Sequence, residues 1–184
     1  LIQKLLELDS ENEYILIHSA KNQFFDKLIE GRKALTKEVI IPGYRRLPGW
    51  PSLRKFFILP FVFRKFKPDV VFEPAHIGPF SFFWKCRKIV TINDLTPIIF
   101  PQHHIWISRF VHKKLLPRVV KNADGIIAPS DSTRRDIEKF YGKQGDKIRV
   151  IYDGAVDSLK PADESEVQKI REKYGIEKPY ILSV

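Results

Sequence analysis

The 184 residues predict an α/β protein built on a parallel sheet. Short apolar runs of about five residues, the ordinary length of a strand, recur as YILIH, DVVF, KIVTI and DGIIA. Segments of helical length and periodicity separate them, as parallel strands require, because no tight turn can join two strands that run the same way. Several of these runs end on polar residues, at His18-Ser19, Asn93-Asp94 and Ser130-Asp131. In parallel sheets, ligands bind beyond the carboxyl ends of the strands.

Each element has its own justification. Leu1 to Leu8 carries leucine or isoleucine at positions 1, 2, 5 and 8, a helical stripe. Asp9 to Glu13 breaks it, and Tyr14 to His18 is a strand. Phe24 to Ala34 has helical character ending near Gly31, and Val39 to Ile41 is a second strand closed by the turn pair Pro42-Gly43. Ser52 to Phe66 reads as a helix capped by Ser52, which Pro60 should kink or split. Pro68-Asp69 turns into a strand at Val70, and Lys88 to Ile92 is the next. His104 to Asn122 has helical length with Pro117 near its end, and Asp124 to Ala128 is a strand. Ser130 caps a helix to Tyr141 whose inner face is Ile137, Phe140 and Tyr141. Lys147 to Ile151 is a strand, Asp163 to Tyr174 a helix stopped by Gly175, and Tyr180 to Val184 opens another strand.

Composition bounds the function. Apolar residues make up 43% of the chain, enough for a core. The longest apolar run, Phe56 to Phe63, is far short of the ~20 residues that cross a bilayer. The opening LIQKLLELDSENE has no signal-peptide pattern, and the single cysteine, Cys86, excludes an internal disulfide framework and fits a reducing cytosol. Methionine is absent and the last residues form an unterminated strand, so the sequence reads as an excerpt of a longer protein. The net charge of +10 favours anionic partners: membrane lipid, phosphorylated substrate or nucleic acid. No acidic residue lies between Val39 and Pro68, a stretch that holds Arg45, Arg46, Arg54, Lys55, Arg64, Lys65 and Lys67.

Asn93 and Asp94 follow a strand. Either Asp94 braces the turn before Pro97, or the pair faces a cleft and hydrogen-bonds a polyol or a leaving group. Ser130 and Asp131 stand at a helix start, where free N–H groups and the helix dipole favour anions, and where both residues also serve as caps. His76 lies in the turn FEPAHIGPF with Glu73 as a possible partner. His103 and His104 adjoin, yet no His, Cys or Asp spacing makes a metal site. Glycine-rich nucleotide loops and the serine-hydrolase elbow are absent. The stretch YRRLPGWPSLRKFFILPFVFRKFK suits either an amphipathic element on an anionic membrane or a core helix with snorkelling cations. Its apolar residues surround the helix, which favours burial against protein. Nucleic acid ranks third, for want of interleaved aromatics or a binding motif.

TINDLTPIIFPQHH, then a long helix and NADGIIAPSDSTRRDIEKFYGKQGDKIRVIYDGAVDSLKP, resembles the family 4 (group 1) retaining glycosyltransferases. The shared positions include Thr91, Asp94, Leu95, Pro97, Ala123, Asp124, Ile126, Ile127, Ser130, Thr133, Asp136, Ile137, Lys147, Val150, Gly154, Asp157 and Pro161. KYGIEKPYILSV is similar to the family's passage into its second domain, and the likeness spans residues 68–184. It implies the N-terminal half of a GT-B architecture, a Rossmann-like parallel sheet with helices on both faces. Residues 1–152 would be the acceptor-side domain without its first strand, and residues 153–184 the hinge and the start of the donor-binding domain. The basic pair that grips the diphosphate would lie downstream, so this fragment would be inactive alone.

The implied reaction is a hexosyl transfer from a nucleotide-sugar to an acceptor hydroxyl, on a glycan or a lipid-linked molecule, with retention and with no metal or other cofactor. By the same resemblance Asp94 and Asn93 are the candidate catalytic residues, while His76, Ser130 and Thr133 line the acceptor cleft. Arg54, Lys55, Arg64 and Lys65 would hold an anionic acceptor or a membrane surface. The expected location is cytoplasmic, peripheral on the inner face of the cell membrane, and no nucleic-acid partner is expected. One departure stands out: Asn93 occupies a position where many relatives carry histidine, and an amide cannot titrate near neutrality. The competing reading is a non-catalytic Rossmann-like module that binds a phosphorylated ligand at the Ser130 helix start.

Overall fold

The computed structural model describes residues 2–18, 36–41, 50–75, 77, 85–154 and 160–181, with the backbone alone for residues 3 and 50–57. The chain forms two compact units, Leu1–Ile151 and Tyr152–Val184.

In the first unit, helix α1 (Ile2–Leu8) buries Leu6, and Asp9 ends it. The Asp9 carboxylate accepts the Tyr14 hydroxyl, the Asn12 side-chain amide and the backbone N–H groups of Glu11 and Asn12, which hold its carboxyl far below the usual range. Strand β1 (Tyr14–His18) pairs in parallel with β2 (Thr36–Ile40), in register from Tyr14 opposite Thr36 to His18 opposite Ile40. The helix expected at Phe24 to Ala34 and the Pro42-Gly43 turn lie outside the described residues.

Helix α2 (Trp50–Phe66) runs unbroken through Pro60. A proline there forfeits one helical hydrogen bond. The helix is held on both sides of it by Leu59 and Phe63, which are buried with Ile41 and Val71 in a small core. It stops at Lys67, whose φ of 45° is left-handed, just before Pro68.

Strands β3 (Val70–Glu73), β4 (Arg87–Thr91), β5 (Gly125–Ala128) and β6 (Ile148–Val150) make a parallel sheet in that order. The register aligns Val90, Ile126 and Ile148 in one row, and all three are buried. Helix α4 (Trp106–Asn122) crosses between β4 and β5, and α5 (Asp131–Tyr141) between β5 and β6. Leu116, Val119 and Val120 of α4, and Ile137 of α5, complete that core with Ile92 and Leu95. Each such aliphatic burial contributes about 1.5–3 kcal/mol. The fold is thus α/β with parallel strands flanked by helices, in a Rossmann-like arrangement. A short helix α3 (Thr96–Ile99), not foreseen from the sequence, follows the β4 end.

The second unit holds α6 (Glu164–Tyr174), capped by Asp163 and closed by Gly175 in the left-handed region. Tyr180 and Ile181 lie outside any strand.

Candidate functional site

Beyond the carboxyl ends of β4 and β5, two distant pieces of chain are tied together. The ladder continues past β4, with the Ile92 N–H donating to the Ile127 carbonyl at 2.9 Å. The next carbonyl, of Asn93, accepts the Thr133 hydroxyl at 2.9 Å. Thr133 sits in the first turn of α5 and is itself buried. Its backbone N–H donates to Ser130 Oγ at 3.1 Å, and its hydroxyl lies 3.0 Å from the same oxygen. Ser130 is the N-cap, so one serine and one threonine order the helix start and fasten it to the strand end. Asn93, Ser130 and Thr133 therefore share one rim.

On that rim the Asn93 side chain is exposed, and its amide makes no hydrogen bond among the described residues. An amide can donate and accept at once. Beside it is the positive end of the α5 dipole, with Asp131 in its first turn. Asp94 is half-buried and differently occupied. Its Oδ1 accepts the Thr96 N–H at 2.7 Å and the Thr96 hydroxyl at 2.5 Å. This local loop fixes the turn into α3, where Pro97 and Leu95 are buried. Thr96 escaped notice in the sequence, although Asp-x-Thr is the spacing at which a carboxylate closes on a backbone N–H two residues on.

The remaining candidates fall elsewhere. His76 lies outside the described residues, as do the side chains of Arg54 and Lys55. Arg64 and Lys65 are exposed in the last turn of α2, with Lys65 Nζ 5.4 Å from the Phe66 ring centre. Glu73, at the carboxyl end of β3, is buried with 8% exposure. At the end of β1, His18 Nε2 lies 2.6 Å from Glu38 Oε1 of β2. Glu38 was not singled out in the sequence because the pair is made across strands, twenty residues apart. Lys147 donates to the Val120 and Lys121 carbonyls at 2.8 and 3.0 Å, closing the end of α4, while burial pushes its pKa down. Among the described residues, no three His, Cys, Asp or Glu side chains are grouped to hold a metal ion.

In open α/β sheets ligands bind beyond the carboxyl ends of the strands, the region where Asn93, Ser130 and Thr133 meet here. The profile of Glycosyltransferase Family 4 matches residues 13–158, and the chain belongs to that family. No curated protein matches the sequence significantly. Among solved structures, a glycosyltransferase from Rickettsia africae ESF-5 is similar at a TM-score of 0.48 and 13% identity, over 92% of this chain. The chain spans 51% of the length of that protein.

Proposed function

We propose that the chain is the acceptor-side part of a retaining GT-B glycosyltransferase, which moves a hexosyl group from a nucleotide-sugar to an acceptor hydroxyl. Family membership supports sugar transfer in general. The observation that carries the residue assignment is the Thr133–Asn93 bond, because it fixes the backbone of residue 93, whose side chain is exposed, at the strand-end rim.

In this reading the Asn93 amide touches the sugar or the acceptor and donates a hydrogen bond that strengthens as the diphosphate departs. Same-face attack lets the leaving diphosphate take the acceptor proton, so the amide positions rather than titrates. Asp94, through its bonds to Thr96, holds the turn that presents Asn93. Ser130 and Thr133 fix the helix start whose free N–H groups face the ligand, and His76 completes the acceptor side. Arg64 and Lys65, with Arg54 and Lys55, serve an anionic acceptor or the membrane that carries it. Residues 153–184 lead into the donor-binding domain.

Nucleoside-diphosphate release by the full-length protein tests this reading. Asn93→Ala should lower kcat by about 100-fold, the effect of removing one preorganised donor, with little change in KM. Turnover unaffected by that change would remove Asn93 from its role. Turnover should survive a chelator, and its loss would show a metal requirement.

A further inference from the structure

Helix α4 is divided along its length. From Leu116 onward it is anchored, with Leu116, Val119 and Val120 at most 2% exposed. Its first half buries no residue. There Trp106 is 67% exposed, Ile107 50% and Phe110 57%, and just before them Ile105 is 71% and Phe100 49% exposed. Five large apolar side chains within eleven residues thus stand in water, whereas scattered single exposure is the ordinary case.

The same outward face continues as a row of cations. Trp106, Phe110, Lys113, Lys114, Arg118 and Lys121 recur at spacings of three and four, so they share one side of the helix. Lys113, Lys114, Arg118 and Lys121 are all exposed. From Leu95 to Ala123 the chain holds no aspartate or glutamate. A face that docks on an ordinary protein surface carries charges of both signs at its border. Nucleic acid would not call for exposed isoleucines, which cannot stack on bases. An anionic bilayer offers both complements together, acyl depth for the rings and negative headgroups for the cations. The rings cluster at one end and the cations begin one to two turns further on, so the helix would enter tilted, its N-terminal end deepest. Among the described residues, no helix is long and apolar enough to cross a membrane, so the element would lie on the surface.

We propose that the first half of α4, with the approach from Phe100 to Ile105, is a docking surface for an anionic lipid bilayer. It is separate from α2 and does not rest on the sugar-transfer reading: an inactive protein that binds in this way supports it equally.

The test is sedimentation of the full chain with vesicles of phosphatidylcholine, with and without phosphatidylglycerol, read alongside tryptophan quenching by brominated lipid. Binding should require phosphatidylglycerol and fall with added salt. Quenching should fall sharply in Trp106→Phe, which leaves Trp50 and Trp84 as the remaining indoles. Trp106→Ser with Phe110→Ser should weaken binding at least about tenfold, since each buried ring carries that much partitioning free energy. Lys113→Gln with Lys114→Gln should weaken it by about tenfold or more, as two headgroup-level cations would. These side chains are exposed, so each variant should keep the wild-type melting temperature. Equal binding to neutral vesicles would overturn the proposal, as would binding unchanged in Trp106→Ser with Phe110→Ser. A lipid-free dimer abolished by that same double variant would overturn it too, in favour of a second copy as the occupant.

Discussion

Helices α5 and α6 are each eleven residues long, and their ends are written in the same local language. Ser130 accepts the Thr133 N–H at the start of one, and Asp163 accepts the Glu166 N–H at the start of the other. Each is followed by a glycine at positive φ, Gly142 at 79° and Gly175 at 62°. Their burial differs completely. In α5, Ile137 has no exposure and Thr133 is buried, whereas α6 buries nothing and leaves Val167, Ile170 and Tyr174 in solvent. Caps and glycines decide where a helix begins and ends. What it is worth to the fold depends on the neighbours that cover its apolar side.

The contrast breaks most sharply at the apolar positions. Ile137→Ala should cost about 2–5 kcal/mol in chemical denaturation, because it opens a cavity in the sheet-facing core. In the 184-residue chain, Ile170→Ala should stay within about 0.5 kcal/mol in the same assay, as exposed substitutions do. A large loss from Ile170→Ala would mean that α6 is covered after all. Next, Thr133→Val should cost about 1–2 kcal/mol, since it strips the Asn93 carbonyl of its donor and leaves Ser130 without its hydroxyl partner.

The caps sharpen the comparison further. Ser130→Ala should cost about 1 kcal/mol of global stability. Asp163→Ala should reduce helicity at residues 164–174, by NMR chemical shift, without moving the global midpoint. The two caps also part company in acid. Ser165 and the Glu166 N–H hold the Asp163 carboxyl below its ordinary value of 3.8, so its contribution is present above that value and drains away as the pH falls beneath it. The Ser130 hydroxyl does not titrate, so α5 should keep its start where α6 frays.

At the far end of α5 the sign reverses. Burial raises the Tyr141 phenol from 10.0 to about 12. A raised value means stability intact below pH 10 and lost as the pH climbs through 12. Tyr141→Phe should flatten that alkaline limb. It should also be neutral or slightly stabilising near neutrality, because the buried hydroxyl has no hydrogen-bond partner among the described residues.

Much of the β3–β6 sheet was legible in the sequence because its strands are short apolar runs bounded by polar residues. Ser130, Asp163 and Gly175 announced helix ends through chemistry that acts over two to four residues. Signals of that range also failed in instructive ways. Pro60 predicted a break in α2, yet long-range packing of Leu59 and Phe63 kept the helix whole. The small helix after Asp94 has too few residues for a periodic signature. At the candidate rim the types at Asn93 and Ser130 were visible, but not the hydroxyl that unites them. Thr133 reaches a carbonyl forty residues away, and nothing near either residue announces that bond.

That bond runs to the main chain of residue 93 and asks nothing of its side chain. The architecture of the strand-end rim is therefore decoupled from the side chain mounted on it. An imidazole or a carboxamide could be exchanged there without rebuilding the support beneath, so Asn93→His should melt with the wild type and, in the proposed function, would change what the rim recognises. In the proposed function, a scaffold of this kind would let substrate preference drift at one position while the protein keeps its shape.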